Sequence, residues 1–229
     1  MKKKSTLIYI ILLLSSLLPV SAQTDKDKEQ LPELPFFYSL YTGADLSGLG
    51  CHILDGDHIS SEASLQLSIR NKFLPVMEIG WWKTNATDDE TGIYYNAAAP
   101  YFRIGCDYNI MHAKPHLPGF LTVGLRLGHT SFKYDVASPP IKDPVWGYET
   151  DYSHKDIESN ATWLELVVGV RARILKHIMM GWNLRHRSRL SVKDYDFSEP
   201  WYIPGMGKNK GSDFGFTYSI IYEIPFKKK

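Results

Sequence analysis

The chain has 229 residues, of which 13% are aromatic and 22% charged, and its formal net charge is +1 at pH 7. This length predicts a single domain, and the balanced charge, without a basic stripe or an acidic tail, argues against a nucleic-acid partner. Two cysteines, Cys51 and Cys106, are too few for a disulfide scaffold.

The first 22 residues have the pattern of a secretory signal peptide. Lysines at positions 2–4 precede the apolar run LIYIILLLSSLLPV, and VSA at 20–22 is a typical cleavage site. An N-terminal membrane anchor is the alternative, but the run is shorter than the roughly 20 residues of a spanning helix. We therefore predict a cleaved signal peptide at 1–22, a flexible periplasmic leader at 23–35 and a folded domain at 36–229.

After the leader, apolar and polar residues alternate with the period of two that is typical of β-strands. In 162–175, for example, Leu166 and Val168 alternate with Glu165 and Arg171, so the two sets lie on opposite faces. The segments that sort in this way are 38–48, 62–70, 76–83, 101–110, 120–128, 162–175, 177–190 and 213–226. Most are close to the roughly 9–11 residues that cross a bilayer at a tilt.

The connectors between these strands alternate in length along the chain. Short connectors are predicted at 71–74, 112–118 and 175–177, long ones at 84–98, 136–160 and 191–212, and a medium one at 51–60. An up-and-down barrel with tight periplasmic turns and long outer loops has this order.

The polar face of the strands carries the glycines and a nearly balanced set of charges. Glycine in a strand makes room for a close neighbour, which the narrow interior of an eight-stranded barrel requires. All basic residues on this face are arginine, the residue preferred for buried ion pairs with several hydrogen bonds. We therefore expect an interior ion-pair network and a closed lumen. The charged residues assigned to it are Asp45, Glu62, Arg70, Glu78, Arg103, Asp107, Arg126, Glu165, Arg171, Arg173, Arg185, Arg187, Arg189, Asp213 and Glu223.

The opposite face is rich in aliphatic and aromatic residues and would aggregate in water, so we expect it to contact outer-membrane lipids. Aromatic residues near the strand ends would form the interfacial girdles. A soluble periplasmic ligand-binding barrel, with the two faces inverted, is the alternative for the same alternation. The residues assigned to the lipid-facing side are Phe102, Leu125, Leu166, Val168, Trp182, Phe214, Phe216, Tyr218 and Tyr222.

The signal peptide, the alternation and the aromatic final strand TYSIIYEIPF resemble the small eight-stranded outer-membrane barrels of Gram-negative bacteria, the OmpA/OmpX type. A terminal Phe is typical of that class as an assembly signal, and here Phe226 is followed by three lysines. The resemblance implies an all-β fold, an eight-stranded antiparallel up-and-down transmembrane β-barrel in the outer membrane. It implies no activity, and the expected role is structural or a surface interaction through long extracellular loops.

A second hypothesis is enzymatic. His129 and Ser131 have the lipid-facing parity near the outer end of their strand, and Glu158 has the same parity at the start of the next. An acid, a histidine and a hydroxyl in contact can generate a nucleophile. The stretch GHTSF resembles the His-x-Ser motif of lipid A deacylases, but Phe132 stands where that motif has Asn.

The remaining candidates lie in loops and turns. Trp146, Tyr148, Trp201 and Tyr202 are candidates to bind a glycan or another extracellular ligand, and packing over the barrel mouth is the alternative. Because the first cysteine lies at the outer end of a strand and Cys106 in mid-strand, both are predicted to be free thiols. The histidines show no metal-ligand spacing, so no metal or cofactor is predicted.

Overall fold

The computed structural model describes residues 35–48, 58–142, 145–150, 153–195 and 198–226. The predicted signal peptide, the leader up to residue 34 and Cys51 lie outside these ranges. Among the described residues, no helix is long and apolar enough to cross a membrane.

Eight long strands form the barrel: β1 (Phe37–Asp45), β2 (His58–Ile69), β3 (Phe73–Thr87), β4 (Tyr94–Asn109), β5 (Gly119–Ala137), β8 (Ser153–Arg173), β9 (Ile178–Val192) and β12 (Ser212–Pro225). Two short hairpins, β6 (Ile141–Lys142) with β7 (Glu149–Thr150) and β10 (Tyr202–Ile203) with β11 (Gly207–Lys208), lie in the connectors.

The long strands pair in chain order, and β1 pairs antiparallel with β12 to close the barrel. The closing register runs from Ser39 opposite Pro225 to Asp45 opposite Ser219. The predicted fold class, an eight-stranded antiparallel up-and-down barrel, is therefore confirmed. We call the end with the connections β2–β3, β4–β5 and β8–β9 the turn end, and the opposite end the loop end.

All eight predicted strands are present, but several extend further toward the loop end. The prediction of a long loop at 84–98 is wrong, because β3 and β4 stay paired up to Thr87 opposite Tyr94 and only 88–93 connect them. In this turn the Thr91 backbone N–H donates to Asp88 Oδ1 at 2.8 Å, which lowers the pKa of the Asp88 carboxyl. Gly92, at φ +68°, takes the left-handed conformation that closes the turn.

Large apolar side chains cover the outside of the barrel. Phe214, Phe216 and Ile104 are 69%, 61% and 58% exposed. The residues assigned to the lipid-facing side all lie on this surface; Trp182 and Tyr218 are half-buried because their rings pack together at 5.8 Å. The exposed Cys106 thiol also lies there and is free.

Arg70 is the charged residue whose predicted position is wrong. It lies in the β2–β3 turn at φ +50° with its side chain exposed, and its guanidinium is 5.6 Å from the centroid of the Phe36 ring. The alternation rule fails at Arg70 because β2 ends at Ile69. A residue beyond the end of a strand no longer alternates between the two faces of the sheet.

Candidate functional site

The centre of the barrel is filled by a layer of ion pairs around Glu78 on β3. One Glu78 carboxylate oxygen accepts from Arg103 at 3.0 Å and from Arg185 at 2.8 Å, and the other forms a short ion pair with Arg126. Because these arginines come from β4, β9 and β5, a single carboxylate joins strands from opposite sides of the barrel.

Two further glutamates complete this layer. Glu62 of β2 pairs with Arg185 at 2.9 Å and also with Arg103. Glu165 of β8 lies 2.9 Å from Arg103 Nε and 3.4 Å from Arg185. We call Glu62, Glu78, Glu165, Arg103, Arg126 and Arg185 the central network.

The network continues toward the turn end. Asp107 accepts from Arg126 at 3.0 Å and from Gln66 at 2.8 Å, and Arg171 lies 3.9 Å away. At the turn end itself, Glu223 accepts from Arg173 at 2.6 Å. The interior charges are thus arranged in tiers along the barrel axis.

The central network is buried. The side chains of Arg103, Glu78 and Glu165 are 1%, 3% and 0% exposed. The cavity that remains beside them measures about 20 Å³, room for about one water molecule. Removing charged groups from water is costly, so a buried layer of this kind requires multiple, well-placed partners. The forked guanidinium supplies them, which is why arginine rather than lysine occupies these positions.

The β10–β11 hairpin folds into the loop end of the barrel and lies directly on the central network. Its apolar side chains Ile203 and Met206 are fully buried. Arg103 Nη2 donates to the carbonyl of Gly205 at 2.8 Å, and Arg187 Nη1 donates to the carbonyl of Met206 at 2.8 Å. We call 201–208 the plug hairpin.

An aromatic layer surrounds the plug hairpin. The Tyr95 hydroxyl donates to the Tyr202 carbonyl at 2.9 Å, and the Tyr95 ring stacks on Trp201 at 5.6 Å and 12°. The Tyr134 ring stacks on Tyr95 at 5.6 Å, and its hydroxyl donates to the Ser198 carbonyl at 2.9 Å. These bonds hold the backbone of the connector between β9 and β12 inside the barrel mouth.

Tyr95→Phe is expected to lower the free energy of unfolding by about 1 kcal/mol, because the partly buried hydrogen bond to the Tyr202 carbonyl is lost. Guanidinium unfolding of the protein in lipid vesicles measures the change. Tyr94→Phe, in the same strand but 40% exposed on the outer side, is the matched control. Equal stability of the two variants would contradict a bonding role for the Tyr95 hydroxyl.

The other charged residues assigned to the interior lie near the loop end. Asp45 accepts from the Ser47 backbone N–H at 2.9 Å and from its hydroxyl at 2.7 Å. Arg189 donates to Asn209 Oδ1, just beyond the plug hairpin. Asp213 is half-buried and lies opposite Arg187 in the β9–β12 register.

The sequence reasoning did not assign Trp163 to the interior. Its indole Nε1 donates to Glu165 Oε1 at 2.7 Å, and its ring fills the space where a side chain at Gly128 would lie, with a nearest atom at 2.3 Å. Trp163 lies two positions before Glu165, so period-two alternation places both on the same, inward face. In the structure it pairs with Gly128.

The three residues of the enzymatic hypothesis lie on the outer surface. His129 Nδ1 is 2.9 Å from Thr162 Oγ1, and Glu158 pairs with Lys133 at 3.1 Å. Glu158 lies opposite Lys133, two positions beyond Ser131 toward the loop end. Within the described residues, no hydrogen bond joins His129, Ser131 and Glu158, so the geometry does not assemble a catalytic triad.

The loop aromatics separate into two groups. Trp201 and Tyr202 are half-buried in the barrel mouth, as part of the plug hairpin. Trp146 and Tyr148, between β6 and β7, are 76% and 74% exposed, and Val145 beside them is 77% exposed. The first group packs over the mouth, and the second remains accessible.

No group of three or more His, Cys, Asp or Glu in the described ranges is placed to hold a metal ion.

Residues 4–229 match the family model described as a domain of unknown function, DUF6048. No curated protein matches the chain in sequence. The fold is similar to a major outer membrane protein from Thermus thermophilus, with 10% identity and a TM-score of 0.49 over 82% of this chain and 99% of that one.

Neisserial surface protein A (NspA) is 12% identical, with a TM-score of 0.38 over 84% of this chain and 98% of that one. Ail, the attachment invasion locus protein of Yersinia pestis, solved with the heparin analogue sucrose octasulfate, is 9% identical, with a TM-score of 0.39 over 82% and 97%. From the family match, the chain belongs to the DUF6048 family.

Proposed function

We propose that this member of the DUF6048 family is an outer-membrane barrel with a closed lumen that presents an apolar loop tip to an extracellular ligand or glycan. In this proposal a signal peptide cleaved after Ala22 directs export, the turn end faces the periplasm and the loop end faces outward. The single observation that carries it is the buried central network covered by the plug hairpin.

The outward surface supports a membrane location over a soluble barrel. Contiguous exposed apolar patches larger than a few hundred Å² are rare on soluble monomers and mark interaction surfaces. Here large apolar side chains are exposed on every barrel strand for which exposure is described, while the charges of the central network lie inside. A soluble ligand-binding barrel has the opposite arrangement, with an apolar interior that receives the ligand.

The filled interior supports a role other than diffusion. Barrels with an aqueous channel have about 16–18 strands, whereas about eight strands leave an interior that side chains fill. In this chain, Arg103, Arg126 and Arg185 extend into the lumen to a shared carboxylate, and the Gly205 carbonyl accepts from Arg103. Movement of a solute through the lumen would have to break several buried ion pairs at once.

The accessible loop tip is the part of the molecule suited to recognition. Trp146 and Tyr148 flank Gly147, which takes φ +70°. Aromatic side chains with a polar atom contribute apolar area and a hydrogen-bonding group at the same position, which is why they are frequent at binding surfaces. A glycan or a protein surface fits this chemistry.

Planar-bilayer recording of the purified full chain tests the closed lumen. We expect no steady, large conductance, because the central network and the plug hairpin obstruct the axis. A sixteen-stranded porin inserted under the same conditions is the positive control. Steady currents proportional to the amount of inserted protein would overturn the closed lumen. Retention in the membrane fraction after a urea wash, with heat-modifiable gel migration, tests the membrane location separately.

A further inference from the structure

A groove on the outside of the barrel has no part in the closed interior. It measures about 750 Å³ and crosses β2, β3, β4 and β5, a volume within the roughly 300–1,000 Å³ of small-molecule sites. Its lining includes the small outward residues Ala63, Pro100 and Ser131 and the larger Trp81 and Phe102, which are 48% and 50% exposed. The groove therefore arises where small side chains interrupt the apolar belt.

Two lysines lie at the loop-end rim of this groove. Lys83 follows Trp81 by two positions on β3 and lies opposite Ala98 on β4. On β5, Lys133 follows Ser131 by two positions, and the pairing of Ala97 with Tyr134 places it beside Ala98. The lysines are thus separated by two strand spacings, roughly 10 Å, with only a methyl side chain between them.

The depth of these lysines matches the edge of an apolar band. From Phe73 to Lys83, β3 rises over ten residues, which is roughly 33 Å of strand. At a tilt of about 40° this corresponds to roughly 25 Å along the membrane normal, the height of the apolar band in transmembrane barrels. Lys83 and Lys133 then lie at the headgroup level, and the groove below them lies in hydrocarbon.

We infer that this groove binds one acyl chain of an anionic, phosphate-bearing lipid of the leaflet at the loop end, with Lys83 and Lys133 holding its phosphate. The inference rests on the proposed function, because the groove meets lipid only if the belt lies in a membrane. Two lysines whose backbones are roughly 10 Å apart can both reach one phosphate, since each carries its charge on a flexible four-carbon stem. The pair of Lys133 with Glu158, whose side chains are 57% and 67% exposed, leaves both groups in solvent and is therefore weak enough to rearrange around a phosphate.

Native mass spectrometry of the full chain with added phosphatidylglycerol tests the site. We expect the wild-type protein to retain one lipid and Lys83→Ala/Lys133→Ala to retain it with an affinity about thirtyfold lower, since each lysine near an anionic headgroup contributes to binding. Lys155→Ala/Lys210→Ala removes the same charge from exposed positions outside the groove and the plug hairpin and is expected to behave as wild type.

A second pair of variants tests the acyl-chain part. Ala63→Trp fills the groove and is expected to abolish retention, whereas Val168→Trp adds the same ring on the outer face of β8 and is not. Inorganic phosphate at equal concentration is expected not to displace the lipid. Equal retention by a variant and its control, or displacement by phosphate, would overturn the inference.

Two further readouts separate the alternatives. A retained adduct with the mass of the intact lipid supports binding, whereas loss of one acyl chain that Ser131→Ala prevents would overturn it in favour of hydrolysis. Heat-modifiable migration is measured for each variant. If the wild-type protein shows heat-modifiable migration but retains no lipid, only the lipid site is refuted. If the wild-type protein does not fractionate with membranes, the proposed function itself is refuted.

Discussion

Glu78→Gln is expected to lower the free energy of unfolding by about 3–5 kcal/mol, the usual cost of removing one partner from a buried ionic network. Among the residues that the structure describes, Glu78 is the one carboxylate shared by Arg103, Arg126 and Arg185. The amide keeps the size of the side chain but removes the charge, so three buried guanidinium groups lose a common counter-charge. Reversible guanidinium unfolding from lipid vesicles, monitored by tryptophan fluorescence, measures the change.

Glu158→Gln is the matched control for this experiment. The substitution is chemically identical, but Glu158 pairs with Lys133 on the outside, where both side chains are mostly exposed. Solvent screens such pairs, and many contribute nothing measurable, so no resolvable change in stability is expected. If the two glutamine variants are equally stable, the central network does not stabilise the barrel.

The alternation in the sequence predicted the faces of the barrel well because one physical constraint acts on each residue in turn. In a strand, successive side chains point to opposite sides, so Glu165 and Leu166 are separated by the backbone whatever the rest of the chain does. The interior charges could be assigned for the same reason. Their partners could not, because Glu62 and Glu165 lie on strands that do not neighbour β4. Only the curvature of the closed barrel brings them to Arg103.

The loop end was predicted less well because its inward residues are apolar. In β5, Arg126 and Thr130 share a face with Phe132 and Tyr134, and all four are buried. A rule that separates polar from apolar residues finds no alternation beyond Thr130 and ends the strand too early. The connector predicted at 191–212 is long, since β9 ends at Val192 and β12 begins at Ser212. Its plug hairpin packs in the barrel mouth, which is the alternative that the sequence left open.

Gly205→Ala is expected to displace the plug hairpin. Gly205 takes φ +81°, and an added Cβ would lie 2.5 Å from Tyr101 Cγ. The left-handed conformation costs an alanine roughly 1–2 kcal/mol, and overlap in a well-packed site adds typically about 1–3 kcal/mol. The Tyr101 ring cannot move away freely, because its hydroxyl donates to Glu62 at 3.0 Å and the Arg103 guanidinium lies 4.6 Å from its centroid. The hairpin is therefore the part expected to move.

Hydrogen exchange at the amides of the plug hairpin distinguishes displacement from simple backbone strain. In wild type the Met206 N–H donates to the Ile203 carbonyl at 3.0 Å in a buried turn, so slow exchange is expected there and fast exchange in Gly205→Ala. Gly147→Ala is the control, since Gly147 has φ +70° but nothing within 4 Å of an added Cβ. Gly147→Ala carries the same free-energy cost of a left-handed backbone but creates no steric overlap. The Met206 amide should therefore remain protected from exchange. Equal protection of Met206 in both variants would show that the contact between Gly205 and Tyr101 does not hold the hairpin in the barrel.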